Sequence, residues 1–166
     1  MNKNNALGLA WQLHEVFKKR GLTLSAAESC TGGLISHLIT SVPGASLFFK
    51  GGTVVYSGMA KVKMLGVDEG LLESAGAVSA ETAAQMAANT RALLGTDISV
   101  STTGNLGPDV LEGKELGLVY IGVASGTGEP RVRKINLKGT RQENKEAAAI
   151  EAMKFLLEIV EAETFY

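Results

Sequence analysis

The sequence offers little for metal, disulfide or histidine-based chemistry. Its 166 residues include one cysteine, Cys30, and two histidines, His14 and His37. A single cysteine excludes an internal disulfide and suits a reducing compartment. One cysteine and two scattered histidines provide no zinc-binding spacing, so we expect no metal site.

Net charge and long apolar runs are also scarce. A net charge of -1 creates no overall field that would attract nucleic acid or an anionic membrane surface. The few aromatic residues form no stacking platform for bases. No apolar run approaches membrane-spanning length, and the N-terminus lacks the apolar segment of a signal peptide. We therefore expect a cytoplasmic protein that binds neither nucleic acid nor membranes.

Glycine, in contrast, is abundant. The 20 glycines clearly exceed the usual share of about 7%. They cluster at turns between periodic segments, which argues against a low-complexity chain. The length predicts one domain over residues 1–166, large enough to bury a core.

Helical and strand patterns alternate along most of the chain. A polar connection with one helical turn is predicted for 68–76 and a polar loop for 105–115. Ser79 is expected to cap one helix, and Thr140 with Glu143 forms a capping box for the last. This order, ending in a hairpin, predicts an α/β fold: a three-layer α/β/α sandwich with a mixed, mostly parallel sheet of about five strands. The predicted helices are about 5–20, 32–41, a short one ending at 65, 80–94 and 141–162, and the predicted strands are 22–27, 51–56, 97–103, 116–124 and 131–137.

One stretch, residues 25–33, joins a predicted buried strand to a helix and carries nucleophilic and glycine residues. Ligands bind at such turns in open α/β sheets. The hydroxyl of Ser29 or the thiol of Cys30 could attack a bound group, and the N–H groups of residues 30–33 could form an oxyanion site. The alternative is a serine that only caps the helix, with glycines for a tight turn.

Three loops of small polar and glycine residues follow predicted strands, at 28–33, 57–61 and 103–108. The carboxyl ends of parallel strands lie at one edge of a sheet. We therefore expect these three loops to converge on one site.

A nucleophilic Ser29 requires a base, and the histidines are poor candidates because His14 belongs to an apolar helix face and His37 has no orienting acid. Lys61 lies near the start of a helix, where the positive dipole end favours a neutral amine. The same holds more weakly for Lys63. The alternative for either lysine is a solvated surface residue.

Three further residues have open interpretations. Tyr56 could hydrogen-bond the serine or the amine, or fill the core. Arg141 opens the last helix, where a cation is unfavourable unless an anion such as phosphate binds there; otherwise it is a solvated arginine. Cys30 has no visible partner to ionise it, so a small buried residue is the favoured interpretation.

The motifs together resemble the CinA C-terminal domain family. The resemblance covers nearly the whole chain, in order and with near-family spacing. The motifs that carry it are Ala27-Glu-Ser-Cys-Thr-Gly-Gly33, Tyr56-Ser57 with Lys61 and Leu65-Gly-Val67, Gly76-Ala-Val-Ser79, and Thr103-Gly104 with Gly107-Pro108.

The resemblance implies a serine–lysine amidohydrolase, because the characterised enzymatic members are nicotinamide-nucleotide amidases. Ser29 would be the nucleophile, Lys61 its base and Tyr56 a supporting catalytic residue. The implied reaction converts nicotinamide mononucleotide and water to nicotinate mononucleotide and ammonia. The resemblance also implies that the protein needs no cofactor and forms a homo-oligomer. We expect a standalone domain, without the N-terminal molybdopterin-binding-like domain. The residues expected to contact substrate are Cys30, Thr31, Gly32, Gly33, Thr103, Gly104 and Arg141.

Four segments depart from the family pattern. Gly58 stands where asparagine is usual, and Asn105-Leu106 replaces Ile-Ala. Residues 109–113 replace a glycine-rich stretch, and Thr140 replaces an acidic residue. These changes leave two alternatives: a nucleotide-binding or regulatory domain without turnover, and an amidase or related acyl hydrolase with another substrate.

Overall fold

A computed structural model describes residues 5–126 and 128–163. The signal-peptide prediction rests partly on residues 1–4, which lie outside the described residues. The helices are α1 (Ala6–Arg20), α2 (Leu34–Thr40), α3 (Gly58–Leu65), α4 (Glu69–Ala75), α5 (Ala80–Leu94) and α6 (Arg141–Ala162). The strands are β1 (Leu24–Glu28), β2 (Phe49–Val54), β3 (Ile98–Gly104), β4 (Leu118–Ser125) and β5 (Arg131–Asn136).

The strands form one mixed sheet in the order β2-β1-β3-β4-β5. β1 pairs in parallel with both β2 and β3, whereas β4 and β5 continue the sheet antiparallel. Helices cover both faces, so the predicted α/β/α sandwich and the terminal hairpin are confirmed. Glu28, at the end of β1, is level with Val54 and Thr102 on the neighbouring strands. The three parallel strands therefore end together at one edge of the sheet.

One face of the sheet buries the larger apolar core, under α1, α2 and α6. Phe17 of α1 stacks on Phe48, with ring centroids 5.3 Å apart. His14 is also buried there, 5.4 Å from the Phe48 ring centroid. The prediction that His14 is a packing residue is confirmed.

The opposite face carries small side chains and lies close to α5. Ser99 Oγ and Ser101 Oγ donate to the carbonyls of Ala87 and Ala83, both at 2.6 Å. A Cβ at Gly122 would overlap the Ala83 carbonyl oxygen. This close packing fixes α5 on the sheet and brings its N-terminus to the edge where the parallel strands end.

The helix boundaries follow the predicted caps. Ser79 caps α5, and Thr140 with Glu143 forms the capping box of α6. The predicted polar connection at 68–76 instead contains α4, because Asp68 accepts a hydrogen bond from Leu71 N and caps a two-turn helix. No helix in the described ranges is long and apolar enough to cross a membrane.

Candidate active site

Ser29 is the first residue after β1 and is held by the sheet edge. Its backbone N–H donates to the Thr102 carbonyl of β3 at 3.0 Å. Ser29 is buried, and its Oγ lies 2.9 Å from Lys61 Nζ. The fold therefore joins residues 32 positions apart in the chain.

Lys61 reaches Ser29 from α3, a helix capped by the Ser57 hydroxyl. Its side chain is 1% exposed, and its Nζ also donates to the Val55 carbonyl at 3.0 Å. Burial lowers the pKa of Lys61, since desolvation penalises the ammonium form. The solvated-surface alternative is thus wrong for Lys61, whereas Lys63 is exposed and belongs to the last turn of α3.

Glu28 fills the N-terminus of α2 from the side of the sheet. Its fully buried carboxylate accepts five hydrogen bonds. The donors are Thr31 Oγ1, Gly33 N, Ile35 N, Ser36 N and Ser36 Oγ. The start of this helix is therefore occupied by the chain's own carboxylate.

This arrangement narrows the predicted oxyanion site. Gly33 N donates to Glu28, and Gly32 N donates to the Ser29 carbonyl at 3.0 Å. Among the described residues, neither the N–H of Cys30 nor that of Thr31 donates to a backbone carbonyl. These two donors are the ones left for an oxyanion beside Ser29.

The two side chains after Ser29 turn into the protein. Thr31 is fully buried, and its hydroxyl lies 2.7 Å from Glu28 Oε2 and 2.8 Å from Thr102 Oγ1. Burial raises the pKa of the Cys30 thiol to about 12. A thiol with this pKa stays protonated at neutral pH, so Cys30 is a poor nucleophile.

A cavity of about 470 Å³ opens beside Ser29 and Lys61. Residues from all three predicted loops line it, so their expected convergence is confirmed. Of the predicted substrate contacts, Cys30, Thr103, Gly104 and Arg141 belong to the lining. Thr31, Gly32 and Gly33 lie outside the lining, because Thr31 Oγ1 and Gly33 N donate to Glu28 at the start of α2. The lining consists of Ser29, Cys30, Tyr56, Gly58, Lys61, Ala77, Val78, residues 103–109, Leu111, Glu112 and Arg141.

Tyr56 and Arg141 meet at the exposed side of this cavity. Tyr56 is 58% exposed, so the expectation that it could fill the core is wrong. Arg141 donates through Nη2 to the Tyr56 hydroxyl and through Nη1 to the Gly107 carbonyl. In the described part of the chain, Tyr56 forms no hydrogen bond to Ser29 or Lys61. The guanidinium is thus positioned by two contacts from different loops.

Thr103 and Gly104 support the wall rather than present polar groups. The Thr103 hydroxyl donates to the Ala77 carbonyl at 2.6 Å. A Cβ at Gly104 would lie 2.7 Å from Val119 Cγ2, closer than packed atoms allow. Both residues shape the cavity through packing against neighbouring elements.

The sequence analysis did not predict the two acidic residues that line the cavity. Glu112 and Asp109 line it, although the predicted polar loop gave no sign of this placement. Glu112 Oε1 accepts from Ala77 N at 2.9 Å. Such a contact across 35 positions has no local signal, since no spacing rule relates the two residues. Within the described residues, no group of three or more histidine, cysteine, aspartate or glutamate side chains could hold a metal ion.

Comparison with known proteins extends these observations. A relative from Halothermothrix orenii, named as a competence-damage inducible protein, is 46% identical over 135 residues. A CinA-like protein from Frankia casuarinae is 45% identical over 135 residues. Each alignment covers 81% of this chain, which spans only about a third of the relatives, 33% and 31% of their lengths.

Solved structures match over nearly their whole length. The crystal structure of a competence damage-inducible protein from Klebsiella pneumoniae superposes with a TM-score of 0.93 at 27% identity, covering 96% of this chain and 99% of that one. A competence/damage inducible protein from Agrobacterium tumefaciens gives a TM-score of 0.89 at 33% identity, with coverages of 93% and 94%. The family profile described as the CinA C-terminal domain matches residues 7–160. With a profile match over most of its length and close relatives in sequence and structure, this chain belongs to the CinA C-terminal domain family.

Proposed function

We propose that this protein is a serine–lysine amidohydrolase that deamidates nicotinamide mononucleotide. The observation that carries the proposal is the 2.9 Å separation of Lys61 Nζ and Ser29 Oγ beside an open cavity. Burial lowers the pKa of Lys61, which favours the neutral amine that a general base requires. Serine–lysine pairs of this kind catalyse acyl transfer.

In the first half-reaction, neutral Lys61 takes the Ser29 hydroxyl proton while Oγ attacks the carboxamide carbon. The tetrahedral oxyanion is stabilised by the N–H groups of Cys30 and Thr31. The C–N bond then breaks, and the Lys61 ammonium returns its proton to the leaving nitrogen. Ammonia departs and an acyl ester remains on Ser29.

In the second half-reaction, water attacks the ester carbon and gives a proton to Lys61. The ester C–O bond breaks as the proton passes to Ser29 Oγ. Nicotinate mononucleotide is released with a new carboxyl group, and both residues return to their starting states. One water is consumed for each ammonia formed.

The choice of substrate rests on the family motifs and on Arg141. The motifs around Ser29, Tyr56 and Lys61 resemble those of nicotinamide-nucleotide amidases. A cavity of about 470 Å³ suits a small ligand. Arg141 offers a guanidinium at its exposed side, and guanidinium groups bind phosphate by paired hydrogen bonds.

The direct test is ammonia release from nicotinamide mononucleotide by the purified protein, with Ser29→Ala as the matched inactive variant. We expect turnover in the wild type and a loss of about 10⁴-fold or more in the variant. Activity that survives Ser29→Ala would contradict the serine mechanism. Nucleotide binding without ammonia release would instead support a regulatory domain.

A second candidate, an amidase with another substrate, is favoured by the departures at Gly58 and residues 105–113, several of which line the cavity. A panel of nicotinamide mononucleotide, its dephosphorylated riboside and unrelated amides separates the two. If Arg141 binds phosphate, Arg141→Ala raises KM for the nucleotide by about tenfold or more and leaves KM for the riboside nearly unchanged. An equal effect on both substrates would contradict the phosphate role.

The resemblance also implies a homo-oligomer acting in pyridine nucleotide recycling in the cytoplasm. Light scattering on the purified protein tests the oligomeric state. A monomer at all concentrations would contradict that part of the proposal.

A further inference from the structure

Glu112 places a fixed carboxylate in the wall of the same cavity as Lys61. Its Oε1 accepts from Ala77 N at 2.9 Å and its Oε2 from Val78 N at 3.3 Å. Because each oxygen has its own backbone donor, the carboxylate cannot rotate freely. Its negative charge therefore has a defined position.

The loop that carries Glu112 is anchored in an uncommon conformation. Glu112 has a φ of +55°, and no other non-glycine residue in the described ranges has a positive φ. Lys114 Nζ anchors the same loop by donating to the Ala75 and Val78 carbonyls at 2.6 and 2.7 Å. A side chain held in an unfavourable backbone region by several anchors points to a functional constraint on its placement.

The cavity has charges of opposite sign in its wall. Glu112 and Asp109 are the acidic groups, whereas Arg141 is held by Tyr56 and Gly107. Glu112 forms no ion pair within hydrogen-bonding distance among the described residues. Its nearest cation is the loop anchor Lys114, since a Cβ at Gly76 would contact both Glu112 Oε2 and Lys114 Nζ. The charge of Glu112 is also felt at the catalytic amine, where it opposes the effect of burial on the pKa of Lys61.

We infer that Glu112 is a specificity-determining residue that selects an amide carried on a cationic ring. This inference rests on the proposed function, and it explains which form of the nucleotide is bound. The ring of nicotinamide mononucleotide is a pyridinium cation, and its phosphate is an anion. A carboxylate in the wall of the cavity that holds Ser29 and Lys61 attracts that ring, while Arg141 attracts the phosphate.

The same charge acts against the product. Hydrolysis converts the neutral carboxamide to a carboxylate, which is formed next to Ser29 and Lys61. Glu112, in the wall of the same cavity, repels this new negative charge. The residue therefore favours binding of the amide and release of the acid.

The test compares two ligands that differ in ring charge. Nicotinamide mononucleotide and its reduced dihydro form share the carboxamide and the phosphate, but the reduced ring is neutral. Calorimetry in the inactive Ser29→Ala protein measures binding of both without turnover. We expect the cationic ligand to bind about three- to tenfold more tightly, as for a partly solvated charge pair.

Adding Glu112→Gln to Ser29→Ala should bring this affinity ratio to about one. Glu115→Gln, the same change on the same loop but outside the cavity lining, should leave the ratio unchanged. Lys114→Met releases the other loop anchor and keeps the Glu112 charge. Because it also removes a cation close to Glu112, the preference for the cationic ligand should be retained or increase.

The outcomes separate the two proposals. If the wild type releases no ammonia from nicotinamide mononucleotide, the proposed function is overturned, whatever the affinity ratio. If ammonia is released but Glu112→Gln leaves the ratio unchanged, the inference alone is overturned. Equal binding of the two ligands to Ser29→Ala also overturns it, and loss of the preference in Lys114→Met would assign the effect to loop position instead of charge.

Discussion

Glu28 and Lys61 are two equally buried charged side chains close to Ser29, but they differ in how many hydrogen bonds they form. Glu28 is 0% exposed and accepts five hydrogen bonds, three of them from backbone N–H groups around the start of α2. Lys61 is 1% exposed and has two acceptors, Ser29 Oγ and the Val55 carbonyl. A buried charge is costly unless hydrogen bonds or an opposite charge compensate it.

The difference separates a charge that hydrogen bonds stabilise from one that burial disfavours. Five donors stabilise the Glu28 carboxylate and tie the turn after β1 to α2. Two neutral acceptors do not compensate an ammonium group, so desolvation lowers the pKa of Lys61. The turn is thus held in place by one residue, while the lowered pKa of the other suits the proton exchange with Ser29 that the proposed mechanism requires.

The largest effect is expected from Lys61→Met, which removes the buried amine of Lys61. Ammonia release should fall by about 10³- to 10⁴-fold, because Ser29 loses its base. Lys63→Met, on the exposed side of the same helix, is the matched control and should retain activity. Substantial turnover in Lys61→Met would contradict the proposed role of Lys61 as the base for Ser29.

Glu28→Gln should instead act on stability. An amide presents N–H groups to donors that now face a carboxylate, so we expect the free energy of unfolding to fall by about 3 kcal/mol. Chemical denaturation measures this change. Glu73→Gln, an exposed carboxylate on α4, should stay within about 0.5 kcal/mol of the wild type. Equal stability of the two variants would contradict the structural role of Glu28.

A smaller effect concerns how the Lys61 contribution to stability depends on pH. Its pKa is lower in the folded state than the ordinary value of 10.5, so the unfolded chain binds more protons between these two values. Stability due to this group therefore rises with pH in that window. Lys61→Met should be more stable than the wild type at low pH, and the gap should shrink as the pH approaches 10.5.

Denaturation of both proteins across this range provides the measurement. The Glu112 charge and the Cys30 thiol are the other titratable groups that act on Lys61. Cys30→Ala and Glu112→Gln backgrounds therefore remove these two electrostatic contributions. A stability gap that widened with pH would mean that the pKa of Lys61 is raised, contrary to the expected direction.

The smallest effect is expected from Cys30→Ala, which tests a third buried side chain, next to Ser29 in the chain. Burial raises the pKa of its thiol to about 12, so the group stays neutral at working pH. Activity should remain within about threefold of the wild type. Rapid alkylation of Cys30 by iodoacetamide near pH 7, or loss of turnover in Cys30→Ala, would show a reactive thiolate instead.

Sequence reasoning predicted the sandwich, its terminal hairpin and the convergence of three loops on one edge. Those features depend on local periodicity, on caps such as Ser79, and on the rule that parallel strands end together. It did not predict that Glu28 would fill the start of α2, although that residue stands next to Ser29. A glutamate in a polar turn is usually solvated, and only the return of α2 past the end of β1 brings backbone donors to it.

The same limit applies to the acidic wall of the cavity. The sequence by itself determined the candidate nucleophile and base, because residue chemistry and position at a strand end are local properties. Only the tertiary structure decided which lysine is buried and which charges share a cavity. Burial and distance across 32 or 35 positions depend on how α3 and the 105–117 loop pack against the sheet, and these contacts have no local periodicity to reveal them.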